Sequence, residues 1–219
     1  MPDAPLTLVI ETATAACSVA LIRDGAVVAE RHEEVGRGHA ERLIPMIAQL
    51  PDGGRADRIL VDCGPGSFTG IRVGIAAARG LALGWSVPVA GFSSLPLVAA
   101  AAFAAYPGLS ALAAVLEGGH GEVFMQRFTR PLAETGPFAS LKPEAALAAL
   151  NGGAATGNGV RHLAVLDSAL DLREALPRAA DATLLDPGFT TLAPRPIYGR
   201  APDAKPLPTE PLSATPLAT

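Results

Sequence analysis

Residues Asp62 to Gly74 read Asp-Cys-Gly-Pro-Gly-Ser-Phe-Thr-Gly-Ile-Arg-Val-Gly, after the apolar run Ile59-Leu60-Val61 and before a long Ala-rich segment. A strand, a glycine-rich turn and a helix in that order suit an anion. The first N–H groups of a helix have no partner within it, and they face the turn. Ser67 or Thr69 supplies a hydroxyl that can cap that first turn. Glu11 ends the first apolar run, where a kinase-like sheet presents an acid toward phosphate. The candidate phosphate residues are therefore Glu11, Gly64, Gly66, Ser67 and Thr69. Against them, the loop lacks the Gly-Lys-Ser/Thr ending of a P-loop, and Arg72 is its one nearby cation. No acidic ribose partner follows at the distance a dinucleotide fingerprint requires. A structural helix start is the stronger reading for the loop, and a hydrogen-bonded acid for Glu11.

Other chemistries are weaker still. Ser67, His39 and Asp62 supply the residue types of a hydrolase triad, but the GxSxG elbow is missing and His39 opens an amphipathic helix. The histidines at 32, 39, 120 and 162 show neither HxxxH nor HExxH spacing, so they read as surface residues and no metal site is expected. Cys17 and Cys63 form no CxxC, which argues against a disulfide framework and fits a reducing compartment. A net charge of -4 leaves no electrostatic footprint for nucleic acid. Residues 80–116 carry no charge, yet Pro88, Pro96 and Pro107-Gly108 interrupt them. The longest helical piece there is too short to span hydrocarbon, so a buried core is expected and no membrane contact. The start, Met1 to Pro5, lacks a basic region followed by an apolar core, and no signal peptide is read there.

The elements that must position these residues follow from pattern. The chain has 219 residues, 49% of them hydrophobic, enough for one or two compact domains. Strands are predicted at Leu6–Ile10, Cys17–Ile22 and Ala26–Glu33, with Asp24-Gly25 as a tight hairpin. A helix over His39–Leu50 stops at Pro51-Asp52-Gly53-Gly54. After strand Arg58–Val61 and the glycine loop comes a helix from about Thr69 to Leu83, then strand Val87–Phe92. A Ser93-Ser94 cap and helix Leu95–Ala105 close a first unit, residues 1–105. A looser second unit, 106–200, has strands Ala111–Leu116 and Val123–Phe128 and helical pieces at Pro143–Leu150 and Ser168–Leu176. The remainder, 201–219, is a Pro-rich tail expected to be disordered. A meander followed by helix, strand and helix points to an α/β fold with mixed sheets.

One further pattern suggests a partner rather than a substrate. Gly70, Gly74, Ala78 and Ala82 recur every fourth residue, flanked by Ile71 and Ile75, and Leu43, Ile44 and Ile47 share a face of the preceding helix. Small residues in a row let another helix approach closely. On this reading Gly74→Leu or Ala78→Glu would block association and leave the monomer folded.

The ordered set Ile10-Glu11-Thr12-Ala13, Cys17 through Leu21, His39 through Ile47, Gly64 through Gly74 and Gly91 through Leu95 resembles one family. It is the bacterial tRNA threonylcarbamoyladenosine biosynthesis proteins TsaB (YeaZ), of the glycoprotease-like group. The resemblance covers nearly all of residues 1–100, fades, and returns at Pro196-Ile197-Tyr198-Gly199-Arg200. It implies a two-lobed actin/hexokinase/Hsp70 ATPase-like fold with a reduced cleft and, here, a reduced second lobe. It also implies a non-catalytic cytoplasmic subunit that needs no cofactor of its own. The partner would be a TsaD-type catalytic subunit that transfers threonylcarbamoyl to the adenosine next to the tRNA anticodon, joined by a TsaE-type ATPase. ATP and a metal ion are then expected in the partner subunits, tRNA is reached only through the complex, and a homodimer is an option for the chain alone. The helices at 39–50 and 69–83 would form the interface. The rival expectation is a stand-alone weak ATPase or residual peptidase. The chain departs from the family pattern at Glu11, in place of Asp, and at Glu117 to Val123, where only Gly-Glu-Val is kept. It departs again after Asp186, where a further helix is missing, and at Gly199, in place of Leu.

Overall fold

The computed structural model describes residues 4–199. Arg200 and the expected tail at 201–219 lie outside them. Strands β1 (Thr7–Glu11), β2 (Ala16–Arg23) and β3 (Ala26–Glu34) form the opening meander, followed by α1 (His39–Ala48), β4 (Arg58–Asp62), α2 (Phe68–Trp85), β5 (Val89–Phe92) and α3 (Ser94–Ala105). The first sheet has the order β3-β2-β1-β4-β5, antiparallel through the meander and parallel for β4 and β5. Asp24 and Gly25 both take positive φ, 51° and 71°, the geometry that turns β2 tightly into β3. After α1, Asp52 and Gly53 again take positive φ and halt the helix near the expected place.

The second sheet is built from β6 (Ala111–Glu117), β7 (Val123–Thr129), β8 (Ala133–Glu134), β9 (Ala139–Leu141), β10 (Ala155–Thr156) and β11 (Leu172–Arg173), with α4 (Pro143–Leu150) and α5 (Val160–Ala164) beside it. Its order is β11-β10-β6-β7-β8, and β9 also pairs with β7.

Strand periodicity divides the core into layers. Leu8, Ile10, Val19, Leu21, Ile59 and Val61 face α1 and α2. Val9, Ala20 and Leu60 face the other way, joining α3 and residues of the second sheet such as Leu112, Ala114, Leu116 and Phe128 in one cluster. The far face of the second sheet, with Ala113, Val115, Val123 and Met125, packs on α4 and α5. Helix α3 is therefore covered on all sides, which explains why its sequence, Ser-Leu-Pro-Leu-Val-Ala-Ala-Ala-Ala-Phe, is apolar all round. Of the uncharged stretch 80–116, most of α3 and β6 are core, while Gly80, Leu83, Gly84 and residues 104–108 are exposed, so the expectation of a buried core holds only in part. Among the described residues no helix is long and apolar enough to cross a membrane.

Two sequence expectations about the second unit need correction. The helix expected over Ser168–Leu176 is absent: Asp167 Oδ1 accepts from the Ala169 amide at 2.9 Å, closing a local turn, and Leu172–Arg173 pairs with β10 instead. The helix of this region is α5, too short for its periodicity to register. Residues 179–199 return to the first lobe. The 3-10 turn Ala179–Leu184 packs under β1 and β2, the Ala179 amide donates to Ser18 Oγ at 2.9 Å, and Leu192 bridges Gly91 at the β5 edge. A boundary at 105/106 thus follows the sheets but not the end of the chain.

Arg130 closes α3. Its Nε donates to the Leu109 carbonyl at 2.7 Å, and its Nη2 to the Tyr106 carbonyl at 3.1 Å and to the Phe103 carbonyl. These carbonyls lie at and just beyond the C-terminus of α3, where helix acceptors have no intrahelical donor. Arg130→Ala is expected to lower the unfolding free energy by about 1–2 kcal/mol, read as a shifted urea midpoint at unchanged slope.

The candidate interlobe cleft and the outer helix faces

The turn between β1 and β2 crosses directly over the glycine loop. The Ser67 amide donates to the Ala13 carbonyl at 2.6 Å, and Thr12 Oγ1 donates to the Gly70 carbonyl at 2.8 Å. A side chain at Gly66 would run into the Ala13 carbonyl, and one at Gly70 into the Thr12 carbonyl. The glycines serve this backbone crossing. The loop's donors serve it too: the Gly64 amide goes to Asp62 Oδ1 at 2.6 Å, and the Gly70 amide to Ser67 Oγ at 3.2 Å. Ser67 is the N-cap of α2, while Thr69 stands exposed in the first turn. Amides that a phosphate would need at Gly64, Ser67 and Gly70 are already bonded within the chain. The loop acts as a helix start.

The triad reading dissolves in the same way. Ser67 Oγ caps α2, His39 Nε2 meets the Ala16 carbonyl at 3.0 Å, and Asp62 Oδ1 accepts from Gly64 and from Ser94 Oγ. His39 is buried, against the expectation of a surface histidine. Ser94 was expected to cap α3; its hydroxyl is directed to Asp62 at 2.8 Å instead, and Ser93 makes no side-chain cap. Cys17 and Cys63 are buried free thiols, pushed up to about 12 by burial first and by the neighbouring carboxylates second, which leaves them unreactive near neutral pH.

Glu11 and Asp62, fully buried, are the polar surprise. Burial first, and the charge of Asp62 second, raise the Glu11 carboxyl well above the usual carboxylate range, against one hydrogen bond from the Ala13 amide. Burial pushes Asp62 up to about 7, opposed by its hydrogen bonds from Gly64 and Ser94. Neither side chain lines the cleft between the lobes. That Asp62 is a buried anchor was not legible from its position after an apolar strand.

The cleft has a volume of about 960 Å3. Ala13, Thr14, Ser67, Phe68 and Arg72 line it from the first lobe, Glu117 to His120, Glu122 and Phe124 from the second, and Pro196 to Gly199 from the returning segment. At its rim the Arg72 guanidinium lies 3.4 Å from the Phe68 ring centroid and donates to the Tyr198 hydroxyl at 2.9 Å. The cation beside the loop is thus stacked on an aromatic face. The Phe124 ring sits where a side chain at Gly199 would start, which accounts for glycine there. Across the cleft, Glu117 pairs with Arg161 and with His162. Among the described residues no three His, Cys, Asp or Glu side chains group as metal ligands.

The residues read as a partner surface are mostly inside. Leu43, Ile47, Gly70, Ile71, Gly74, Ile75, Ala78 and Ala82 are all buried, packed against the first sheet, Thr12 and each other. Only Ile44 of that set faces out, 50% exposed. The correction has a simple cause. The row every fourth residue was read correctly as close packing, but the close neighbour is this chain's own β1–β2 turn. A second small row on α2, Ala76, Gly80 and Gly84, faces solvent beside Leu83, which is 84% exposed. Among the described residues, no neighbour outside the helix's own backbone lies within 4 Å of where side chains at Gly80 or Gly84 would begin. On α1, Ala40, Ile44 and Ala48 form a parallel outward row.

Two lobes, each a mixed sheet flanked by helices, with a cleft between them, give the fold of the solved Pseudomonas aeruginosa protein described as similar to peptidase YEAZ, at a TM-score of 0.75. The family model described as "TsaD: tRNA N6-adenosine threonylcarbamoyltransferase" matches residues 27–153. The tRNA threonylcarbamoyladenosine biosynthesis protein TsaB of Escherichia coli K12 is 41% identical over 128 residues, 56% of this chain and 54% of that one. An uncharacterized protein of Mycobacterium tuberculosis H37Rv is 31% identical over 212 residues, 91% of this chain and 94% of the relative. The solved structure of YeaZ from Pseudomonas aeruginosa superposes with a TM-score of 0.74 at 28% identity, covering 88% of this chain and 99% of that one. The chain belongs to the TsaB (YeaZ) family of glycoprotease-like proteins. Its match spans about half the length of the curated TsaB relatives from Escherichia coli and Haemophilus influenzae.

Proposed function

We propose that this chain is a non-catalytic scaffold or activator subunit in tRNA threonylcarbamoyladenosine biosynthesis. It docks a TsaD-type catalytic subunit through the outer faces of α1 and α2, and a TsaE-type ATPase joins the assembly. The observation that carries the reading is the outward row Ala76/Gly80/Gly84 beside Leu83 and Ile44. A glycine inside a helix costs roughly 1 kcal/mol relative to alanine, and nothing among the described residues repays that at Gly80 or Gly84. A close helix from another chain does. The curated relatives named for this pathway support the substrate class.

Catalysis, ATP and a metal ion belong to the partners on this reading, and tRNA is reached through the complex. The closed loop and the burial of Glu11 and Asp62 outside the cleft lining support that division. The second reading is a stand-alone weak ATPase or residual peptidase, the latter drawing on the solved structure described as similar to peptidase YEAZ. Purified chain with ATP and magnesium separates the ATPase from the scaffold. Turnover at background level is expected, and turnover that Glu11→Gln removes would overturn the scaffold reading.

A further inference from the structure

Glu11 and Asp62 end neighbouring parallel strands, and the pairing of Ile10 with Val61 sets the next residues side by side on the α3 face of the sheet. Both are wholly buried, and each leaves one oxygen without a partner, Oε2 of Glu11 and Oδ2 of Asp62. An unpaired buried carboxylate oxygen is costly, and two adjacent anions in a dry site more so. Among the described residues no cation makes a hydrogen bond or an ion pair with either acid. The titratable or charged groups that the packed elements place nearby are Cys17 on β2, Cys63 after β4, His39 on α1, Arg79 on α2, and Arg178 and Asp181 on the returning segment. None of these donates a hydrogen bond to either carboxyl.

The two acids differ in what they receive. Asp62 accepts from the Gly64 amide at 2.6 Å and from Ser94 Oγ at 2.8 Å, whereas Glu11 accepts only from the Ala13 amide at 2.6 Å. The charge therefore settles on Asp62, and the proton on Glu11. We propose that Glu11 is a neutral acid that donates from Oε2 to Oδ2 of Asp62, so that the pair shares one proton and one charge. Both orphan oxygens are then satisfied. The proton also becomes a latch, because Asp62 holds the start of the glycine loop at Gly64 and the start of α3 at Ser94. Losing it puts two like charges beneath those joints.

The unfolded chain ionises both acids in the ordinary carboxylate range, while the folded chain keeps its protons to higher pH. The unfolded state then binds fewer protons, so stability falls as pH rises from that range through the raised folded values and levels off above them.

Infrared spectroscopy of the full chain at about pH 8, above the value of about 7 to which burial pushes Asp62, is expected to show the band of a dry protonated carboxyl, shifted in heavy water. Its absence from the wild type overturns the proposal without any variant. Glu11→Gln keeps an N–H donor for Asp62, so it is expected to fold and to lose the band. Its melting temperature is expected to fall less than that of the wild type between about pH 6 and about pH 9. An equal fall in both proteins, or a band that survives in Glu11→Gln, contradicts the shared proton.

Discussion

Gly80→Leu is expected to leave this chain folded and to abolish its co-elution with a TsaD-type subunit. The space at Gly80 is open, since none of the described residues lies within 4 Å of where the new side chain begins, so their packing is kept. Leucine for glycine in a helix interior even raises intrinsic stability, by up to about 1 kcal/mol. Against a partner the effect reverses. The row Ala76/Gly80/Gly84 admits a helix backbone because it has almost no side chain, and a leucine in its middle holds the two helices apart. Interface residues of this kind cost about 2 kcal/mol or more when they fail, a loss of about thirtyfold in affinity. Leu83→Glu tests the same face from its apolar edge, by placing a charge where a dry contact is expected. The measurement is size-exclusion co-elution, with circular dichroism and thermal melting of each variant alone. A stronger melt with unchanged co-elution would remove the face from the account.

Gly70→Ala is expected to have the opposite profile, a large loss of stability in the isolated chain. The added methyl group meets the Thr12 carbonyl, a backbone atom fixed by the β1–β2 turn, so no side chain can swing away. Thr12 Oγ1 also bonds the Gly70 carbonyl, which ties the two segments together from the other side. Overpacking of a close-packed core typically costs about 1–3 kcal/mol, and backbone against backbone lies at the upper end. Urea denaturation reads this directly. Gly74→Leu and Ala78→Glu belong with Gly70→Ala, because both positions are buried. They would lower stability before they could report on any partner. A Gly70→Ala chain as stable as the wild type would mean that the turn does not press on the loop.

The contrast between Gly74 and Gly80 also marks how far the sequence could be read. The first lobe was legible because its central strands are short apolar runs and its breaks carry strong turn chemistry, as at Asp24-Gly25 and Asp52-Gly53. The row of small residues on α2 was legible as close packing, but periodicity cannot say whether the close neighbour belongs to the same chain. Thr12 is 58 residues before Gly70, and that contact is tertiary. The same limit hid Asp62, whose partners Glu11 and Ser94 come from two other elements. In the second lobe, strands of two residues and a helix of five are too short for any periodic signal. The returning segment at 179–199 has little pattern of its own and is placed by single contacts, such as the Ala179 amide on Ser18 and the Ile197 amide on the Cys63 carbonyl.

The most direct test of the central claim is reconstitution of tRNA threonylcarbamoylation from purified TsaD-type and TsaE-type subunits, supplied with tRNA, ATP and an activated threonylcarbamoyl donor, with and without this chain, read by mass spectrometry of the tRNA nucleosides. Modification is expected only when the chain is present, and with the folded Gly80→Leu variant in its place it should fall to the level seen without it. Full modification in the absence of the chain, or with Gly80→Leu at wild-type rate, would contradict a scaffold that acts through the outer face of α2.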